Sequence, residues 1–79
     1  MDKSFLLVTW VEENNINMTE QWGTFDELNI DTTYETDDDE ERQALRSIEY
    51  LRDYGQVGDE FEWCIDPMSG QSGILTRVD

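Results

Sequence analysis

The sequence predicts an α+β fold. It would be a small antiparallel sheet of four or five strands, in the order β-β-(β)-α-β-β, packed against one α-helix at about residues 37–54. Three observations predict it. Ala44, Leu45, Ile48, Leu51 and Tyr54 recur at helical spacing, so one helix face is apolar. The stretch "DEFEWCID", residues 59–66, alternates apolar and acidic positions, as a half-buried strand does. The stretch "SFLLVTWVE", residues 4–12, is rich in β-branched and aromatic residues. A helix with one apolar stripe and a sheet with one apolar face bury each other as two layers. With 79 residues there is room for a single domain, 1–79, with a thin core.

In chain order, residues 4–12 are apolar on both faces and read as a central strand. "ENNIN" supplies turn residues. In "INMTEQW", Ile16, Met18 and Trp22 share one alternating face and Asn17, Thr19 and Gln21 the other, which predicts a second strand paired with the first. Residues 23–35 carry two signals. Thr24 and Glu27 fit a capping box that opens a helical turn. Leu28, Ile30, Thr32 and Tyr34 alternate and predict a third strand over residues 28–34. The main helix follows, with Thr36 or Asp37 as N-cap, acids in its first turn, Arg52 near its end and Gly55 as a left-handed stop. In residues 59–66, Phe61, Trp63 and Ile65 face one way and Glu60, Glu62, Cys64 and Asp66 the other. "PMSGQSG" is a turn and "ILTRV" the last strand.

The charge is the strongest compositional signal. Twenty acids face five bases, a formal net charge of −15, or about one net negative charge for every five residues. Three Trp, three Tyr and three Phe in patterned runs argue for a folded domain under self-repulsion rather than a disordered chain. Direct binding to nucleic acid phosphates or to anionic lipid is disfavoured by sign. No run approaches the ~18 apolar residues of a membrane span. The N-terminus lacks the basic start and cleavage site of a signal peptide. A lone cysteine, Cys64, forms no internal disulfide and fits a reducing, cytoplasmic setting.

The sequence offers no catalytic constellation. There is no His, so Cys64 has no imidazole partner. "DTT" at 31–33 lacks the Gly and the second copy of an aspartic-protease loop, and no Gly-rich phosphate cradle is present. The expectation is a non-enzyme without cofactor or metal. A calcium loop starting at Asp31 would place Thr36 at its sixth position and Arg42 at its twelfth, where Gly and Glu are required.

The acids concentrate in "YETDDDEER", residues 34–42, and in the strand 59–66. Acids in a first helical turn are each stabilising by roughly 0.3–1 kcal/mol, but the effect fades within a turn. That accounts for one or two of the five consecutive acids, not for all. Strand carboxylates two apart stand about 6.6 Å apart, and helical ones three or four apart about 5–6 Å. Rows of this kind imitate the phosphates of a duplex in spacing and sign. The bases gather on the helix instead, where Arg46 or Arg52 can pair with Glu49 or Asp53.

In size, extreme acidity and lack of catalytic residues, with "ETDDDEE" and "DEFEWCID" as the acidic stretches, the chain resembles the small DNA-mimic proteins of bacteriophages and mobile elements. That class includes inhibitors of restriction enzymes, of uracil-DNA glycosylase, of CRISPR effectors and of the nucleoid protein HU. Its members share charge and length, not a motif or a common fold. The resemblance implies a host-takeover inhibitor in the bacterial cytoplasm that occupies a basic DNA-binding surface and excludes DNA. An HU-like protein is the first expected partner, and a CRISPR effector or RNA polymerase comes next. The expected contact residues are Asp31, Glu35, Asp37, Asp38, Asp39, Glu40, Glu41, Glu60, Glu62 and Asp66. A second expectation is an interaction module that binds through an apolar or edge-strand contact, with homodimerisation as one form and charge serving solubility.

Overall fold

Ser4–Val11 forms β1, as its β-branched and aromatic content requires. The structure, a computed structural model, describes residues 3–11, 18–66 and 68–79. After β1 come β2 (Thr19–Thr24), a single-turn helix α1 (Phe25–Leu28), the main helix α2 (Asp39–Tyr54), β3 (Glu60–Asp66) and β4 (Gln71–Arg77). The four strands form one antiparallel sheet in the order β2-β1-β4-β3, with α2 on one face. This is the expected α+β class, and β1 is central as its two apolar faces predict.

Register fixes which side chains meet the helix. Phe5 lies opposite Gly23 and Arg77, Leu7 opposite Leu75, Phe61 opposite Leu75, and Trp63 opposite Gly73. These positions share the covered face. There Phe5, Leu7 and Leu75 pack with Leu28, Ile48 and Leu51, and Phe25, Ile30, Phe61 and Trp63 close the margins. Phe5 and Phe25 meet edge to face, centroids 5.9 Å apart. Burying a side chain the size of Ile48 contributes about 1.5–3 kcal/mol. With so few such residues, the core is thin. The opposite face carries Leu6, Val8, Trp10 and Ile74 in the centre and Trp22, Glu60, Glu62 and Cys64 toward the edges.

Several local expectations are corrected. The capping box wins between 24 and 28: Glu27 accepts the Thr24 N–H at 2.9 Å and Thr24 accepts the Glu27 N–H at 3.3 Å. Asn29 then ends α1 in the left-handed conformation, φ 57°. Residues 28–34 therefore form no third strand. Their alternation survives as burial only as far as Thr32, since Leu28 and Thr32 are buried and Ile30 half-buried while Tyr34 is exposed. Such alternation records which side faces a core and does not require a hydrogen-bonded ladder. The N-cap of α2 is Asp38, not Thr36 or Asp37. Gly55 ends α2 with φ −64°, not left-handed, and is there for a different reason: a Cβ would lie 2.5 Å from the Leu51 carbonyl oxygen. Tyr54 is exposed beside Tyr50, their rings 5.2 Å apart, because the apolar face narrows at its last turn. Met18, just before β2, and Trp22 are exposed; Trp22 lies on an edge strand and on the sheet face away from α2. The expected turn at 13–17, with Ile16, lies outside the described residues. Finally, β4 begins at Gln71, so "QSG" is strand rather than turn, and Gly73 makes room for Ile65 and Thr9.

Candidate partner-binding surface

The acidic run has four kinds of member. Asp38 is a cap, its carboxylate accepting the N–H groups of Glu40 at 2.9 Å and Glu41 at 3.2 Å. Glu41 is held from two sides, by the Tyr34 hydroxyl and by the Thr36 hydroxyl at 2.9 Å. The Glu41 carboxylate beside it pushes the Tyr34 phenol up to about 12. Asp39 pairs with Arg42 one turn on. Asp37 and Glu40 are exposed, and among the described residues their side chains have no hydrogen-bonding or ion-pair partner.

The remaining predicted acids divide in the same way. Asp31 accepts the N–H of Thr33 at 2.9 Å and its hydroxyl at 2.8 Å, and these bonds hold the Asp31 carboxyl below the usual carboxylate range. Asp66 accepts the N–H of Met68 at 3.1 Å. A bulge between Cys64 and Asp66 sets Asp66 opposite Gln71, so it leaves the regular spacing of Glu60 and Glu62. Glu35, Glu60 and Glu62 are exposed, and among the described residues their side chains have no partner.

The bases lie elsewhere. Lys3 donates to the carbonyls of Arg52 at 2.9 Å and Asp53 at 2.8 Å, and Arg77 to the carbonyl of Gly55. These bonds satisfy the C-terminal carbonyls of α2, where positive charge is favoured. Arg52 pairs with Asp53 at 2.8 Å and reaches Glu49 at 3.8 Å, with its guanidinium 5.4 Å from the Phe25 ring centre. The Arg52 side-chain hydrogen bond lowers the Asp53 carboxyl from its ordinary value. Arg46 is exposed and makes no ion pair among the described residues. Three of the five bases thus gather at one end of α2, and the unpaired carboxylates flank its other end and β3.

The seam between α2 and β3 brings the two acidic segments together. A groove of about 460 Å³ runs there, floored by Ala44, Phe61 and Trp63 and bordered by Asp38, Glu40, Glu41 and Glu62. Phe61 and Trp63 stack at 6.1 Å with their rings 11° apart, which gives the groove an aromatic floor. A second hollow of about 290 Å³ shares Ser47 and Phe61 with the first and carries the depression on to Asp59 and Glu60. The seam thus joins part of the run, Glu40 with its neighbours, to Glu60 and Glu62. Asp31 and Asp66 do not line it.

Sequence reasoning assigned Phe61 and Trp63 to the core, and they are half-buried because α2 leaves them as a floor. Ala44 and Ser47 give no functional signal of their own in the sequence. Their small size matters only once the helix is placed over the strand. Among the described residues no group of His, Cys, Asp and Glu is arranged to hold a metal ion, and no helix is long and apolar enough to cross a membrane. Cys64 is exposed with a free thiol. Comparison with known protein families, with curated proteins and with solved structures gives no match.

Proposed function

We propose that this protein is a non-catalytic inhibitor that binds the basic DNA-binding surface of another protein and keeps DNA from it. An HU-like nucleoid protein is the first partner, in the cytoplasm of a bacterial host cell, with a CRISPR effector or RNA polymerase as alternative basic surfaces. The observation that carries this reading is the separation of charge. Glu40 and Glu62 border the groove and Glu60 the hollow that continues it toward Gly55, and their side chains have no ion-pair partner among the described residues, while Lys3, Arg52 and Arg77 are engaged with carbonyls and carboxylates of the fold. A solvated surface with no further role would intersperse both signs. A one-signed surface steers a basic partner and raises the rate of encounter, steeply so at low salt.

The test is displacement of duplex DNA from a purified HU-type protein, at low and at high salt. The variant to compare carries Asp37→Lys, Glu40→Lys, Glu60→Lys and Glu62→Lys, positions whose side chains hold nothing in the fold. The wild type is expected to displace DNA, with a potency that falls as salt rises, and the variant to lose most of that potency at low salt. Equal potency in wild type and variant would remove this surface as the contact. If HU-type protein is untouched, capture from bacterial lysate extends the test to other partners. A partner retained at high salt and indifferent to added DNA would overturn the reading.

A further inference from the structure

The outer edge of β3 is unpaired among the described residues, since β3 ends the order β2-β1-β4-β3. Its hydrogen-bonding parity follows from the ladder. The Arg77 N–H donates to the Asp59 carbonyl at 2.9 Å. In an antiparallel pair such residues alternate, so Phe61 and Trp63 turn their backbone groups to β4. Glu60, Glu62 and Cys64 turn theirs outward. The side chains follow the opposite rule: Phe61 and Trp63 lie on the helix side, and Glu60, Glu62 and Cys64 on the open face. The groove touches residues of both sets, Phe61 and Trp63 together with Glu62 and Cys64. A depression that meets both faces of one strand runs along that strand's edge.

The geometry points to β3 as a docking edge for an extended, basic segment of a partner protein, added as a fifth strand beside α2. Strand addition to an open edge draws affinity from backbone hydrogen bonds and specificity from alternate side-chain pockets. Here the two sides of the added strand meet different surroundings. On the helix side, alternate residues drop onto Phe61 and Trp63 and beside Ala44, which calls for Val, Leu or Ile. On the open side, the intervening residues stand next to Glu60 and Glu62, which calls for Lys or Arg. The matching segment therefore alternates apolar and basic residues. A second copy of this chain fits badly, because pairing two β3 edges would set Glu60 and Glu62 against their own equivalents. This inference rests on the reading that the partner is basic, and adds that its contact is an extended strand rather than a rigid charged groove.

The experiment is a calorimetric titration at physiological salt, with amide shifts followed in β3. The probe is a capped peptide as long as the seven residues of β3, Lys-Val-Lys-Leu-Lys-Val-Lys. Its control is the same composition in two blocks, all lysines first. The alternating peptide is expected to bind about tenfold or more tighter than the block peptide, which corresponds to the net worth of one or two hydrogen bonds. Cys64→Pro removes an outward N–H, a position where an edge strand tolerates proline. Ala44→Gln fills the groove without adding charge. Each is expected to weaken the alternating peptide about fivefold to tenfold, the scale of one lost bond or pocket, and to leave the block peptide unchanged. Circular dichroism melts confirm that both variants fold. If both peptides bind alike and both release with salt, edge docking is overturned and the acidic-surface reading stands. If the alternating peptide binds the edge but DNA displacement fails, edge docking stands and the DNA-exclusion reading falls. If neither peptide binds even at low salt, edge docking is overturned, and the DNA-displacement assay decides the acidic-surface reading by itself.

Discussion

Within the acidic run, neighbouring carboxylates do unlike work, and single substitutions separate them. Asp38 caps α2 through two backbone N–H groups, while the side chain of Asp37, one residue earlier, has no hydrogen-bonding or ion-pair partner among the described residues. Replacing an Asp N-cap by Ala typically costs about 1 kcal/mol, whereas a surface change away from any cap stays within about 0.5 kcal/mol. Asp38→Ala is therefore expected to lower the urea midpoint by about 1 kcal/mol equivalent with the slope unchanged. Asp37→Ala is expected to leave it in place. Equal loss in the two variants would mean that the cap is shared or misassigned. Glu41 belongs with Asp38, since Tyr34 and Thr36 both donate to it and tie the preceding segment to the helix start. The sequence makes five adjacent acids look equivalent. Which of them is free depends on where the helix begins, and a boundary moved by one residue changes the answer.

Gly55 shows the same lesson for a whole element. A glycine after a helix reads as a left-handed stop, yet here its φ is −64°, which any residue can adopt. What excludes a side chain is space: a Cβ would sit 2.5 Å from both the Leu51 Cδ1 and the Leu51 carbonyl oxygen. The side chain could swing away but the backbone oxygen accepts the Gly55 N–H at 3.0 Å and cannot. Gly55→Ala is thus expected to destabilise by about 1–3 kcal/mol, the cost of overpacking, as read from thermal or urea unfolding. A stabilised variant, as a merely permissive glycine would give, would contradict the clash. The sheet, α2 and the capping box were legible because each rests on local spacing: the alternation of residues 59–66, the stripe Leu45, Ile48, Leu51, and the Thr24–Glu27 pair. The strand expected at 28–34 failed because alternate burial of Leu28 and Thr32 needs only a core on one side. The candidate surface was legible as charge, in Glu40, Glu60 and Glu62. Its apolar floor was not, because half-buried Phe61 and Trp63 have the same pattern as a fully covered face.

At the scale of the whole molecule the question is what −15 charges do to a thin core. The radius of gyration is 12.5 Å. The Debye length is about 10 Å at 0.1 M salt and about 3 Å at 1 M, so at low salt carboxylates repel across the molecule and at high salt they do not. Sodium chloride is therefore expected to stabilise this protein. For a domain of this size each 1 kcal/mol of relief raises Tm by about 4–8 °C. Acid acts against the fold through three carboxylates. Glu27, Asp31 and Asp53 are held below their ordinary values by Thr24, Thr33 and Arg52 respectively. Groups depressed in the folded state contribute stability above the ordinary carboxylate range and lose it as pH falls through the lowered values. Tm is therefore expected to fall as pH drops below about 4, the ordinary carboxylate value, where these three groups lose their contribution. A variant with Glu35→Gln, Asp37→Asn, Glu40→Gln, Glu60→Gln and Glu62→Gln is expected to melt higher at low salt and to respond less to salt. If the wild-type Tm were flat across salt, the charges would be locally compensated. A surface compensated in that way could not steer a basic partner either, so the melting curve and the DNA-displacement assay test one property from two sides.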